Sequence, residues 1–138
     1  MANVRVTKSI NVPAHKAWAE LSSFRGIENY SPIAKSVTHG TGAGATRTCT
    51  MPDGAEINEV LNSVNADKMH FQYAITDGPF PVSGYVSDVE VKALSSDACE
   101  ITWACQFQSD EAVEGQMKEL FGGFYNVIIE GLEGHING

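Results

Sequence analysis

Three side chains capable of chemistry fall where strand alternation would aim them at an apolar interior: Glu59, Arg47 and Tyr85. Glu59 lies between Ile57 and Leu61 on one face of an extended run, and a carboxylate held among hydrophobes can act as a general acid or base. Arg47 shares the parity of Cys49 and Met51, so it could meet a ligand carboxylate or Glu59 itself. Tyr85 is in phase with Ser87, Val89 and Val91. Around one cavity, Glu59 would transfer a proton while Arg47 or Tyr85 polarised a carbonyl. The competing arrangement puts Glu59 at the sheet rim, paired to Arg47 across neighbouring strands or solvated. It leaves Arg47 as a solvated strand arginine and Tyr85 as a core tyrosine with a satisfied hydroxyl. Tyr73 and Tyr125 are open to the same two readings, whereas Asp77 beside Gly78-Pro79 reads as a turn residue.

Other chemistries find no support. His15, His39, His70 and His135 are scattered without ligand-spaced partners, and Cys49, Cys99 and Cys105 lack paired spacing, so no metal site and no disulfide framework is expected. Nothing places a histidine beside a nucleophile. The run Gly40-Thr41-Gly42-Ala43-Gly44 lacks the Lys-Ser/Thr of a phosphate loop and leads into a strand, so it reads as a flexible hairpin near a cavity mouth.

The elements that must position these residues follow from periodicity. Residues 3–10 read as a strand; Pro13 opens a short helix faced by Ala17, Trp18 and Leu21, and a second short helix or turn spans Phe24–Tyr30. Six extended runs follow, at Ile33–Thr38, Thr46–Met51, Ile57–Val64, Met69–Thr76, Val82–Leu94 and Cys99–Gln108. Their period-2 alternation and short turns indicate an antiparallel sheet with one wet face. From roughly Asp110 to His135 the period changes to three and four through Met117, Leu120, Phe121, Phe124, Tyr125, Ile128 and Leu132, predicting one long helix. A sheet of seven strands must curl to cover a single helix, which makes an α+β fold with a curved antiparallel sheet wrapped around that helix. Gly122-Gly123 interrupts the helix, predicting a thinned or kinked centre that opens space beneath the sheet.

The chain has 138 residues and a formal net charge of −8, with no Lys/Arg cluster. One domain over residues 1–138 is expected, and neither nucleic acid nor anionic membrane suits the charge. With no apolar run of bilayer-spanning length and no signal core, a cytoplasmic protein without membrane insertion is expected.

Specific words also match a known superfamily. Asn11-Val12-Pro13-Ala14 with Trp18 and Leu21, then Gly42-Ala43-Gly44-Ala45-Thr46-Arg47-Thr48, Glu59-Val60-Leu61, Tyr73-Ala74-Ile75 through Pro81-Val82-Ser83-Gly84-Tyr85, and Trp103 with Phe107 appear in order. In this the chain resembles the START-like (SRPBCC) superfamily of polyketide cyclases, dehydrases and lipid-transport proteins, over essentially its whole length. Val60 stands where many members carry arginine, removing one charge from around the site. The resemblance implies the helix-grip fold with two short helices between the first two strands. It also implies a cavity between sheet and C-terminal helix for a lipid, polyketide-like or aromatic ligand. Fold alone does not assign the function.

The favoured reading is a binding domain for a small hydrophobic or amphipathic ligand; the other is a cofactor-free cyclase, dehydratase or isomerase using Glu59. The expected walls are Ile57, Leu61, Tyr73, Ile75, Ser87, Val89, Trp103 and Phe107 from the sheet, with Met117, Phe121, Phe124, Tyr125 and Ile128 from the helix. No metal or cofactor enters either reading. A protein partner, engaged through the glycine loop and the turns, is a weaker third.

Overall fold

Alternation builds seven strands, and their order places the site. The structure is a computed structural model that describes residues Met1–Gly138. Its strands are β1 (Ala2–Ile10), β2 (Lys35–His39), β3 (Thr46–Thr50), β4 (Glu56–Asn65), β5 (His70–Asp77), β6 (Ser83–Ala93) and β7 (Cys99–Gln108). They form one antiparallel sheet in the order β1-β7-β6-β5-β4-β3-β2. The first strand therefore lies beside the last, and the chain crosses the whole sheet between β1 and β2. That crossing is made by helix α1 (Ala14–Ser22) and a 3-10 turn at Ile27–Asn29. The second short helix expected from the sequence is this single turn: Gly26 enters it with a φ of 75° and Ser31-Pro32 follows directly, leaving too few residues for more.

Helix α2 (Glu111–Asn137) lies along β1 and faces the concave side of the sheet. At 1.5 Å per residue its 27 residues extend about 40 Å. Asp110 occupies its N-cap, and Glu111 and Glu114 sit in its first turn, where the helix dipole favours negative charge. Its C-terminal half is clasped to β1 and the segment after it. Lys8 Nζ donates to Glu130 at 2.5 Å, the Asn11 backbone N–H to Glu133 at 2.6 Å, and Asn137 Nδ2 to the Asn11 carbonyl at 3.0 Å.

The register sets concave-face residues in rows. Arg47 pairs with Glu59, and Glu59 with Ile75. Leu61, Tyr73, Ser87, Cys105 and Val4 form the next row, and Phe71, Val89, Trp103 and Val6 the one after it. Three bulges adjust these rows. An extra residue at Thr76 breaks the parity linking Asp77 to Tyr73, and Asp77 is exposed. Another at Asn62 ends the unbroken alternation of β4. A third spans Gly84, whose φ of 61° suits glycine, and it leaves Tyr85 turned inward and buried.

The glycine pair in α2 acts differently from the expectation. The helix is continuous through it, a Cβ on Gly122 would meet Val4 of β1 at 3.7 Å, and nothing lies within 4 Å of one on Gly123. Neither glycine lines the cleft between α2 and the sheet: Gly122 faces Val4 on the edge strand β1, and Gly123 faces open space. The close approach lies instead at Gly131, where a Cβ would overlap the Tyr30 backbone carbonyl. Gly131→Ala should therefore cost about 1–3 kcal/mol, although alanine is the better helix former by up to about 1 kcal/mol. Urea unfolding measures it; a stabilised variant would show that Tyr30 yields freely.

Candidate functional site

Between the middle of α2 and strands β3–β6 the core does not close completely. A cleft of about 90 Å³ remains, lined by fifteen residues of which thirteen are hydrophobic. Ile57, Tyr73, Ile75 and Tyr85 supply its sheet wall, and Leu120, Phe121, Phe124, Tyr125 and Ile128 its helix wall. Ile27, Ile33, Met51 and Phe80 close its sides. The two charged residues in the lining are Arg47 and Glu59.

These two form a buried ion pair, Arg47 being 4% exposed and Glu59 8%. Arg47 Nε donates to Glu59 Oε1 at 2.7 Å, and an Nη nitrogen stands 2.6 Å from the same oxygen. The Cys49 thiol points at Oε1 as well, at 3.8 Å. Oε2 takes part in none of these contacts. No fully buried side-chain oxygen or nitrogen in the protein lacks a partner, so Oε2 keeps some exposure, and Glu59 is one of the residues that line the cleft. The guanidinium lies over the Phe24 ring, 3.8 Å from its centroid, with the Tyr73 centroid at 5.6 Å. Burial works to lower the pKa of Arg47, but the Glu59 charge, helped by Cys49 and Tyr73, outweighs it and leaves that pKa raised. Burial, reinforced by Glu59, pushes the Cys49 thiol up to about 12, so at neutral pH it is no nucleophile.

A second polar group crosses the cleft floor. The hydroxyls of Tyr85 and Tyr125 hydrogen-bond to each other, and Trp103 Nε1 donates to the Tyr73 hydroxyl at 3.2 Å. Burial raises the pKa of all three phenols, with Glu59 adding to the effect at Tyr73, so they stay neutral donors. Hydroxyls held in this way can donate to a carbonyl or accept from a ligand donor.

Alternation thus places Arg47, Glu59, Tyr85, Ile57, Tyr73, Ile75, Phe121, Phe124, Tyr125 and Ile128 around one space. Six further residues expected in the walls lie outside it. Leu61 and Val89 are farther along the concave face, where Trp18 of α1 covers Phe71 at 6.0 Å. Ser87 is fully buried and donates to the Ala104 carbonyl at 2.9 Å. Trp103 backs the wall, stacked on Tyr125 at 5.6 Å; Phe107 packs against Phe121 at 5.3 Å, and Met117 is buried in the core outside the cleft. Each faces the interior, but neighbouring side chains fill the space in front of it. Conversely, the lining also takes in Ile33 and Met51, which stand just outside the ends of β2 and β3, Ile27 and Phe80 from irregular segments, and Leu120, a helix residue exposed at the rim. The glycine-rich hairpin contributes nothing to the lining; Gly44 N–H bonds the Leu61 carbonyl at 2.7 Å instead.

Phe80 also borders an outer pocket of about 280 Å³, lined by Ile75–Gly78 and Val82–Tyr85. Its ring packs edge-on against Phe121 at 5.3 Å, so it stands between the apolar cleft and this polar vestibule. No helix is long and apolar enough to cross a membrane, and no cluster of three His, Cys, Asp or Glu side chains could hold a metal ion.

The sequence profile of the family described as polyketide cyclase / dehydrase and lipid transport matches residues 1–136. The chain belongs to this family. Among solved structures, the protein XoxI from Bacillus cereus is 27% identical, with 96% of this chain and 94% of that one covered at a TM-score of 0.87. A putative uncharacterized protein from Bacillus thuringiensis is 24% identical over 99% of this chain and 100% of its own, TM-score 0.88. Norcoclaurine synthase from Thalictrum flavum, in complex with dopamine and hydroxybenzaldehyde, is 14% identical over 98% and 86%, TM-score 0.76. These last two show a shared helix-grip fold and no more. No curated protein matches the chain. Membership in the cyclase/dehydrase and lipid-transport family supports a ligand-binding or cyclase role at the level of the family.

Proposed function

We propose that this protein binds a small, largely apolar ligand in the cleft between α2 and the sheet. The observation that carries the reading is the cleft itself: an apolar space inside the core with one ion pair turned into it. Its volume is below the roughly 300–1,000 Å³ of ordinary ligand pockets. The ligand is therefore of single-ring size, or the cleft widens as Phe80, Leu120 and Phe124 move. Burying a ring of phenylalanine size contributes about 4–6 kcal/mol before the losses of association. A same-fold neighbour seen with dopamine and hydroxybenzaldehyde supports an aromatic occupant.

Native mass spectrometry of freshly purified protein tests this. A single organic adduct, lost on denaturation, is expected; an unliganded mass together with a dry, well-packed interior would contradict it.

A second reading is cofactor-free proton-transfer catalysis, favoured by one observation: Glu59, whose Oε2 is free of the ion pair, lines the same cleft as the hydrogen-bonded Tyr85 and Tyr125 hydroxyls. Glu59→Gln separates the two. Binding alone leaves affinity for a hydrocarbon ligand within a few-fold, whereas catalysis by Glu59 loses about 100-fold or more in turnover.

A further inference from the structure

We infer that the cleft selects an uncharged ligand bearing a hydroxyl-like group, one able to donate a hydrogen bond to Glu59 Oε2. This rests on the binding reading and adds the chemical class of the ligand. The argument is one of charge balance. Arg47 and Glu59 are the charged residues of the lining, they are of opposite sign, and they neutralise each other across a 2.6 Å contact. Both are more than nine-tenths buried. Arg47 is largely occupied, with Phe24 against its face and Nε spent on Oε1. The acceptor left open is Oε2. The tyrosine hydroxyls add no charge, since burial keeps them protonated.

A carboxylate entering this space would meet Oε2 and would have to strip Glu59 from Arg47 to find a cation. An ammonium could reach Oε2 only by sitting beside the guanidinium. Either ion brings a charge that nothing in the cleft compensates, in an apolar setting where such charges are strongly disfavoured. A neutral hydroxyl donates to Oε2 and keeps the pair intact. The ring behind it meets the aromatic wall of Phe121, Phe124 and Tyr125.

Benzyl alcohol, benzoate and benzylamine share one ring and present a neutral, an anionic and a cationic group at pH 7. Binding is read from the methyl resonances of Ile57, Ile75 and Ile128, with toluene as the reference hydrocarbon. Benzyl alcohol should bind about tenfold or more tighter than either ion, equivalent to about 1.4 kcal/mol. In Glu59→Gln, where Arg47 loses its counter-charge, benzoate should overtake benzyl alcohol. In Arg47→Met/Glu59→Leu, which has neither charge nor acceptor, benzyl alcohol should fall to the affinity of toluene, and both ions should remain excluded. The double variant keeps the question open to test if Glu59→Gln folds poorly. Benzoate or benzylamine matching benzyl alcohol on the native protein overturns the inference, as does an unchanged order in the variants. If toluene binds and none of the three polar probes does, the ligand class is wrong and the binding reading stands. If toluene fails too, both fall.

Discussion

Arg47→Met is expected to lower folding stability by about 3 kcal/mol, seen as a fall in the urea midpoint at unchanged slope. Removing one member of a buried ion pair leaves the other charge without compensation, and typical losses are about 3–5 kcal/mol. The lower figure applies here because Glu59 Oε2 is not fully enclosed and Glu59 lines the cleft, so water can reach the orphaned carboxylate. Methionine retains much of the arginine stem but not the guanidinium that lies over Phe24, so the loss reports the charge together with that stacking. Arg47→Met/Glu59→Leu should recover most of it, since replacing both charges by apolar groups of similar size is often neutral or stabilising. A single variant within about 0.5 kcal/mol of the native protein would show that the pair is solvated, as ordinary surface changes are.

Trp103→Ala should cost about 3–5 kcal/mol, as large-to-small changes at buried aromatics do. Its ring is almost wholly buried on the floor of the sheet, stacked on Tyr125 and edge-on to Tyr73 at 6.4 Å. The change would also leave the Tyr73 hydroxyl without its donor. Both tyrosines line the cleft, so this variant should loosen the wall and weaken toluene binding although Trp103 itself does not line it. Trp103→Phe, which keeps a ring and loses only the N–H and some volume, should cost distinctly less. Denaturant titrations of the two variants measure the difference; equal losses would mean that the hydrogen bond outweighs the ring packing.

Strand alternation made the wall legible before any coordinates, and irregular backbone hid the rest. Ile57, Glu59 and Leu61 sit on one uninterrupted stretch of β4, so their shared face follows from period 2 alone, and the register then sets Arg47 opposite Glu59. The cavity reading and the cross-strand pair, which were alternatives at the level of sequence, turn out to coexist: the pair forms, and it forms facing the cleft. Parity failed where the bulge at Thr76 turned Asp77 to solvent. It could not separate Trp103 and Phe107, which back the wall, from Tyr73 and Ile75, which face the space, because alternation reports the face and not what packs in front of it. Phe80 lies on a bend and Ile27 on a 3-10 turn three residues long, where no period exists to read, whereas Met51 continues the parity of Arg47 and Cys49 one step past the end of β3. The meaning of the helix glycines likewise needed neighbours: Gly131 is forced by the Tyr30 carbonyl, a contact 101 positions away in sequence, while the conspicuous Gly122-Gly123 pair is not forced by the cleft.

The claim that the space between α2 and the sheet receives a ligand is tested most directly by titrating the native protein with toluene while recording methyl spectra. The account predicts saturable one-to-one shifts at Ile57, Ile75 and Ile128, with a dissociation constant near or below about 1 mM. The exposed Val37 and Leu94 on the outer surface should stay still. Unsaturated shifts, or shifts confined to those exposed residues, would contradict it.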